Sequence, residues 1–596
     1  MVDGIKATVR GVNSGQGPDS LTRDYVSFAI NASFRGGSGA HQRPGIKKLE
    51  LDWGGNELVQ DGLFQGASYF KPRGGPACLV AAISGRLIKF DVSLAGNPVS
   101  DISVRTVISG LPVYSYSIPQ IRQVWFLQAE DWLIQQNGIE RPIFYDGTSA
   151  RRSRPGEMLP GLMMEYHMGR VWVVRPDRLS FVAGDIVYSD AGVGTAQFDY
   201  RDSILGFTEN DFFNEGGEFT VPLTAGLINT IKNVAVLDTS TGQGPLQVGT
   251  DKAIFSVNAP PDRTTWKDLT WPIGTTGLIN SGPLSQDGTV NVNGDLWYRA
   301  KDGYRSYIVA RRQFGEPGNT PMSREMNRVI EADDKRLLGF DSAIVFDNRL
   351  IRTCSPATSF AHGTYHRGLV ALDFDIVSSM SNRLPPAYDG LWTGVRVLKL
   401  LVGDFDGIDR AFAFVLSSED KIELWEITTS DIFDNTSRRI EWVVEGPALF
   451  DGVNLHKLMG GEVFIDQLSG RADFDVKWRP DQYQGWFDWH SWSECATYQT
   501  CTLENCAVPG NWQPQYRSRM TLPENPAGTC VTEDNRPSNF GYTFQQRVAV
   551  TGAARMKALM VKADVQPEEP FLCRGEGACK DSNVCQLPVF SYSAEV

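Results

Sequence analysis

The chain has 596 residues, 41% of them hydrophobic, and 57 Lys and Arg against 70 Asp and Glu give a formal net charge of −13. That length calls for two or three cores rather than one, and the acidic balance argues against a nucleic-acid reader, whose affinity comes from neutralising phosphates with cations. No stretch approaches the ~20 apolar residues of a membrane helix, and residues 1–6 carry no basic-then-apolar leader, so the chain is expected to fold in a cytoplasm.

The 15 Trp, 18 Tyr and 31 Phe alongside 59 Gly and 32 Pro suit many short strands joined by tight turns. Residues 1–70 are Gly- and polar-rich, with Ser33-Phe34-Arg35-Gly36-Gly37 and Arg43-Pro44-Gly45 as turn signals. This segment is expected to run along the surface and to supply a strand that closes a ring. From residue 71 a strand–turn–strand unit recurs: AAISGRLIKFD at 81–91, then 124–144, 169–174 with 185–190, and 246–257. It returns at 290–308, 343–353 and 410–427. Several of these anchors lie about 40–45 residues apart, the spacing of four-stranded propeller blades. An all-β fold follows, with a β-propeller of six or seven blades over 71–465. The best helix candidate is 324–338, with Ser323 as its N-cap.

Beyond about residue 465 the composition changes. Trp478, Trp486, Trp489 and Trp492 crowd together, seven cysteines follow, and 542–564 reads as strand again. Residues 466–596 are expected to form a separate Cys- and Trp-rich β domain. Cys495, Cys501, Cys506, Cys530, Cys573, Cys579 and Cys585 contain no CxxC pair, which excludes a zinc-ribbon pattern. Disulfides, a metal or iron–sulfur cluster, and free thiols all remain open for them. Cys78 and Cys354 stand alone and read as small buried side chains.

No constellation carries catalysis. Asp404-Phe405-Asp406-Gly407-Ile408-Asp409 spaces its carboxylates as a calcium loop would but lacks the terminal Glu, so a turn between strands is the better reading. Ser189-Asp190-Ala191-Gly192 is a partial Asp-box and reads as a blade turn. His362 and His366 stand i,i+4 without the glutamate of a zinc helix. No nucleophile elbow, phosphate loop or dinucleotide fingerprint is present. The tryptophan cluster could stack sugars, though core packing explains it better. No enzyme activity, resident metal or cofactor is expected.

The blade text resembles the tail β-propeller proteins of bacteriophages, the nozzle or stabilisation components of short-tailed phages and related virion structural proteins. The resemblance is carried by Gly11-Val12-Asn13-Ser14, Asn31-Ala32-Ser33-Phe34-Arg35-Gly36-Gly37, Arg43-Pro44-Gly45, Leu296-Trp297-Tyr298-Arg299 and Asp302-Gly303-Tyr304-Arg305-Ser306. It continues through NTPMSREM at 319–326, Phe346-Asp347-Asn348-Arg349-Leu350, Tyr388-Asp389-Gly390-Leu391-Trp392-Thr393-Gly394 and Glu423-Leu424-Trp425-Glu426. The likeness covers residues 1 to about 430 and departs from those proteins in the Cys-rich end. It implies a virion protein of the tail, assembled in the host cytoplasm. Copies, six favoured, would form a ring touching adaptor, portal and tail fibres, with DNA passing through the lumen unbound and repelled by acidic charge. A receptor- or glycan-binding tail protein is the alternative, and a propeller glycosidase a more distant one.

Overall fold

The computed structural model describes the chain except for residues 186–217, 236–242, 259–272, 308–320, 496–511, 521–537 and 567–596, and short gaps at 1, 6–9, 38, 104, 109–110, 115, 154–157, 279, 376, 380–381, 384–385, 436, 451 and 514–515. Seven antiparallel blades follow one another among the described residues. The first is Phe64–Phe70, Cys78–Ile83, Arg86–Phe90 and Val99–Asp101. The second is Trp125–Ala129, Trp132–Gln136, Ile143–Tyr145 and Ala150–Arg152. The third comprises Met164–His167, Arg170–Val174, Ser180–Asp185 and Glu218–Thr220. Ile228–Ala235, Gln243–Thr250, Ala253–Val257 and Ile273–Leu278 make the fourth. The fifth shows Val290–Val292, Asp295–Ala300 and Gly303–Ser306. The sixth is Ala343–Phe346, Arg349–Ser359, Gly363–Asp373 and Ala387–Trp392. In the seventh, Arg396–Phe405, Ile408–Leu416 and Ile422–Ile427 take Ile46–Lys48 as their outer strand. The inner strand Arg396–Phe405 lies against Phe64–Phe70, so the last blade meets the first and the ring is closed.

The alternation of side chains explains why blades stack. In Cys78–Ile83, Leu79, Ala81 and Ile83 join a core shared with the seventh blade, while Cys78 and Val80 join one shared with the second. In Ile408–Leu416, Phe412, Phe414 and Leu416 face the first blade, and Ala411, Ala413 and Val415 face the sixth. Each such strand is buried on both faces, which is why it reads as a continuous apolar run rather than as half-polar. Hairpin turns follow the same economy: Asp347-Asn348 and Asp406-Gly407 both place two residues in the left-handed region that two-residue β-turns require.

The expected helix at 324–338 is a correction. Only a 3₁₀ turn, Arg324–Met326, and a short helix, Asn327–Glu331, form before the chain turns, and a second 3₁₀ turn occupies Leu338–Phe340. Ser323 caps nothing; its hydroxyl accepts the Tyr304 N–H instead. The Asp333 carboxylate is drawn inward to Arg299 and the Ser355 N–H, which ends the helical run.

The second unit is built on two long antiparallel strands, His456–Pro480 and Phe544–Val565. Register breaks between Ile465 and Asp473 bend this pair, with Gly470 and Gly552 at positive φ in the bend. A Cβ on Gly552 would collide with the Arg471 carbonyl. One arm carries Val2–Ile5 and Tyr516–Met520, and the other carries Glu441–Leu449 and Phe487–Cys495. Val463, Val476, Trp478, Val548, Val550, Leu559 and Val561 fill the space between the arms. The boundary expected at 465/466 therefore falls inside a strand, because the apolar alternation runs straight through the point where the composition shifts.

The first seventy residues also differ from a surface segment. Val12, Val26, Ala29, Ala32 and Phe34 are fully buried. The segment pairs with the second unit at Val2–Ile5, Phe28–Ile30 and Ala40–Gln42, then with the seventh blade at Ile46–Lys48. A bridge from Asp52 to Pro98 carries it on to the first blade. A chain starting at residue 50 leaves the outer edge of Ile422–Ile427 bare. It is expected to melt at lower temperature and to associate with rising concentration, as read by thermal unfolding and size-exclusion chromatography.

Candidate functional site: a buried arginine–aspartate joint

A cluster of charge, much of it buried, lies where the N-terminal segment crosses the sixth and seventh blades. The Arg35 guanidinium donates to Asp347 at 2.8 Å and to Asp373 at 2.9 Å. Arg349, from the second strand of the sixth blade, pairs with Asp347 at 2.5 Å, Asp373 at 3.1 Å and Asp389 at 3.5 Å. The side chains of Asp373 and Asp389 are 0% exposed. The Phe34 N–H donates to Asp389 at 3.0 Å, tying the segment's backbone to the same cluster. Burial lowers the pKa of Arg35, but the Asp373 and Asp347 carboxylates outweigh that and hold it above its ordinary value. Three carboxylates meet two guanidiniums, and Asp389 shows the surplus. Burial pushes it up to about 6, with Arg349 opposing and Asp373 reinforcing the rise.

A second knot lies one turn along. Arg43, 1% exposed, makes a bidentate pair with Asp434 at 2.8 Å on each arm. Its Nε donates to Asn31 Oδ1 at 3.0 Å and its Nη2 to the Thr393 carbonyl at 3.2 Å. Asp434 also accepts the Ile46 N–H, which starts the outer strand of the seventh blade. Asn31, at φ 51°, accepts the Thr393 N–H and donates to the Glu441 carbonyl. Four parts of the chain are therefore joined through one guanidinium and one amide: the N-terminal segment, the linker between blades six and seven, the approach to the second unit, and its first strand. Upstream, Arg23 pairs with Asp3 at 2.7 Å and reaches the Ala448 carbonyl, while Asp3 accepts the Phe450 N–H.

Backbone fit completes the joint. Phe28–Ile30 lies between Leu391 of the sixth blade and Val443–Glu445 of the second unit. Gly390, at φ 97°, sits so close to the Ala29 carbonyl that a Cβ would overlap it. Gly11, at φ 98°, meets Ala387 and Tyr388 in the same way. Ser14 donates through its N–H and its hydroxyl to the Glu325 carbonyl.

The other candidates resolve differently. Asp404–Asp409 is the hairpin turn of the seventh blade; Asp404 pairs with Lys71 at 2.8 Å and accepts the Gly407 N–H. No group of three His, Cys, Asp or Glu suited to a metal occurs among the described residues. His362 and His366 each reach a backbone carbonyl on a different element, Gly62 and Val397. Burial takes His366 down to about 4. Trp478 is fully buried and donates to the Ser538 carbonyl. Trp489 is 7% exposed, Trp492 stacks on Phe474 at 5.0 Å, and Trp486 lies under Arg479 at 4.4 Å. These ring faces are already used in packing. Cys495 is disulfide-bonded, while Cys501, Cys506, Cys530, Cys573, Cys579 and Cys585 lie outside the described residues, as does 189–192. Cys78 and Cys354 are buried free thiols, and burial pushes Cys78 up to about 12.

Among the described residues, a cavity of about 340 Å³ is lined by blades two to five and the turn at 335–340, and one of about 440 Å³ lies at the end of the second unit. The second is lined by Asp19 and Asp481, and Asp481 accepts the N–H groups of Tyr542 and Thr543. Among the described residues no helix is long and apolar enough to cross a membrane.

Sequence comparison finds no matching family model and no matching curated protein. Among solved structures, the chain is similar to the computationally designed Ika8 protein at 10% identity, over 64% of this chain and 100% of that one, with a TM-score of 0.29. YCF48 bound to D1 peptide matches at 10% identity over 65% and 98%, TM-score 0.33. BamB from Moraxella catarrhalis matches at 10% over 65% and 98%, TM-score 0.29. The propeller itself is read from strand pairing and ring closure.

Two outcomes test the joint. Arg43→Ala leaves Asp434 and Asn31 without their buried partner and is expected to cost roughly 3–5 kcal/mol in chemical unfolding. The folded pKa of Asp389, about 6, exceeds its ordinary 3.8, so its ionisation opposes folding above pH 6 and is without effect below the ordinary value. Asp389→Asn is therefore expected to raise the melting temperature most above pH 6, with the gain over wild type fading as pH falls towards 4, in paired thermal scans.

Proposed function

We propose that this protein is a non-enzymatic structural component of a bacteriophage tail, a rigid block that joins copies of itself into a ring around the channel for DNA. One observation carries the reading: most of the short motifs that resemble tail propeller proteins meet in the joint. Asn31 and Arg35 of one motif, Asp347 and Arg349 of another, and Asp389 and Thr393 of a third are mutual partners. Ser14 meets Glu325 of NTPMSREM. Motifs that build an architecture rather than a pocket suit a protein whose work is done by its shape and outer faces.

A closed propeller exposes few strand edges, which favours defined association through faces over edge-to-edge aggregation. A heterologous contact that closes on itself makes a ring, with adaptor, portal and tail fibres as its neighbours in the virion and six copies as the favoured number. The net charge of −13 would keep DNA sliding rather than bound. The glycan-binding alternative would rest on Trp486 and Trp492, since Trp478 and Trp489 are buried.

Electron microscopy of the purified protein, and of particles produced with it, tests the proposal. Rings of defined symmetry with an acidic lumen are expected. A stable monomer absent from every particle, or a net basic lumen, would count against it.

A further inference from the structure

The cavity among blades two to five lies where the inner strands Trp125–Ala129, Met164–His167 and Ile228–Ala235 begin, and residues of the turn Lys335–Phe340 line it as well. Its volume of about 340 Å³ falls within the range of small-molecule sites. The wall combines an apolar side, Trp125, Leu338 and Phe340, with a polar side bearing Arg178.

Arg178 is placed with care. It is a non-glycine residue at φ 57° in the turn before Ser180–Asp185. Its Nε donates to the Ile228 carbonyl at 2.9 Å and its Nη2 to Asn229. Asn229 is in turn held by Asp251 and by the Pro283 carbonyl. No ion pair is made by Arg178 or by Lys335 among the described residues, and Arg178 Nη1 has no protein acceptor there. Arg336 also lines the cavity, but Asp334 takes its charge at 2.8 Å. Asp251 is the one carboxylate on the wall, and Asn229 occupies one of its oxygens. The polar side is thus a fixed guanidinium edge and an exposed ammonium facing a single, partly engaged carboxylate, in a chain that is acidic overall. Burial lowers the pKa of Arg178, and Asp251 opposes the shift.

We infer that this cavity is a binding site for a compact organic anion, with its carboxylate on Arg178 Nη1 and Lys335 and its apolar body against Trp125 and Phe340. The site is independent of ring assembly, since it is complete in one chain. Guanidinium and ammonium donors at a preorganised edge favour carboxylate recognition, and the apolar wall favours a ligand with a hydrocarbon face over an inorganic ion.

The test is calorimetric titration of the full chain with benzoate, acetate and inorganic phosphate at fixed ionic strength. Saturable benzoate binding is expected, tighter than acetate, lost in Arg178→Met and weakened about two- to fivefold in Lys335→Met, an exposed change that leaves the fold intact. Equal weak effects from all three anions, or benzoate binding unchanged in Lys335→Met and Arg178→Met, would overturn the inference. A failure of Arg178→Met to fold leaves Lys335→Met, with quenching of Trp125 fluorescence by benzoate, as the deciding pair.

Discussion

The joint depends on burying two guanidiniums, those of Arg43 and Arg349, at 1% and 3% exposure. Placing a charge in such a site is expensive unless each donor finds an acceptor. Arg43 meets that condition by collecting Asn31, Thr393, Pro44 and Asp434 around itself, while Arg349 is set against Asp347, Asp373 and Asp389 as ion pairs, with its Nε making no hydrogen bond among the described residues. Thr393 and Asp434 lie 350 and 391 residues from Arg43, and Arg35 of the N-terminal segment shares Asp347 and Asp373 with Arg349, so the full network forms only when the N-terminal segment and the late blades are in register. A buried ion pair adds little net stability over an apolar substitute. Its value here is that a misplaced segment would strand a charge.

That constraint explains why the N-terminal segment is threaded rather than draped. Apolar side chains at 12, 26, 29, 32 and 34 supply the driving force for burial, but apolar contact alone would tolerate a slip along the groove. The polar contacts of Asn31, Arg35 and Arg43, and the close approaches at Gly11 and Gly390, admit one alignment. The outer strand Ile46–Lys48 then closes the seventh blade at a fixed distance from the joint. Closure of the ring and attachment of the second unit are consequences of one docking event.

Much of the propeller was legible because its strands carry a local signal. Apolar runs such as LVAAI at 79–83 and AFAFVL at 411–416, punctuated by Ser-Gly, Asn-Gly or Asp-Gly turns, announce hairpins without knowledge of their neighbours. The blade count needed the ring to close, which no local pattern encodes. The joint was half legible. Arg35 and Arg43 stood in turn signals, and Arg349 and Asp389 in motifs of the resemblance, whereas Asp373 and Asp434 sit in unremarkable text and become partners only through tertiary pairing. The helix at 324–338 was misjudged because its periodicity says nothing of Arg299, whose buried charge pulls Asp333 out of the helical path. Likewise the Trp and Cys content drew a boundary at 466 that the long strand His456–Pro480 ignores.

The central claim is that propeller, N-terminal segment and second unit fold as one cooperative body through the joint. Differential scanning calorimetry of the intact chain tests it most directly. One transition is predicted, with near-ultraviolet signals from both units changing together and the calorimetric enthalpy equal to the van't Hoff value. Two resolved transitions, one for the propeller and one for the second unit, would contradict it.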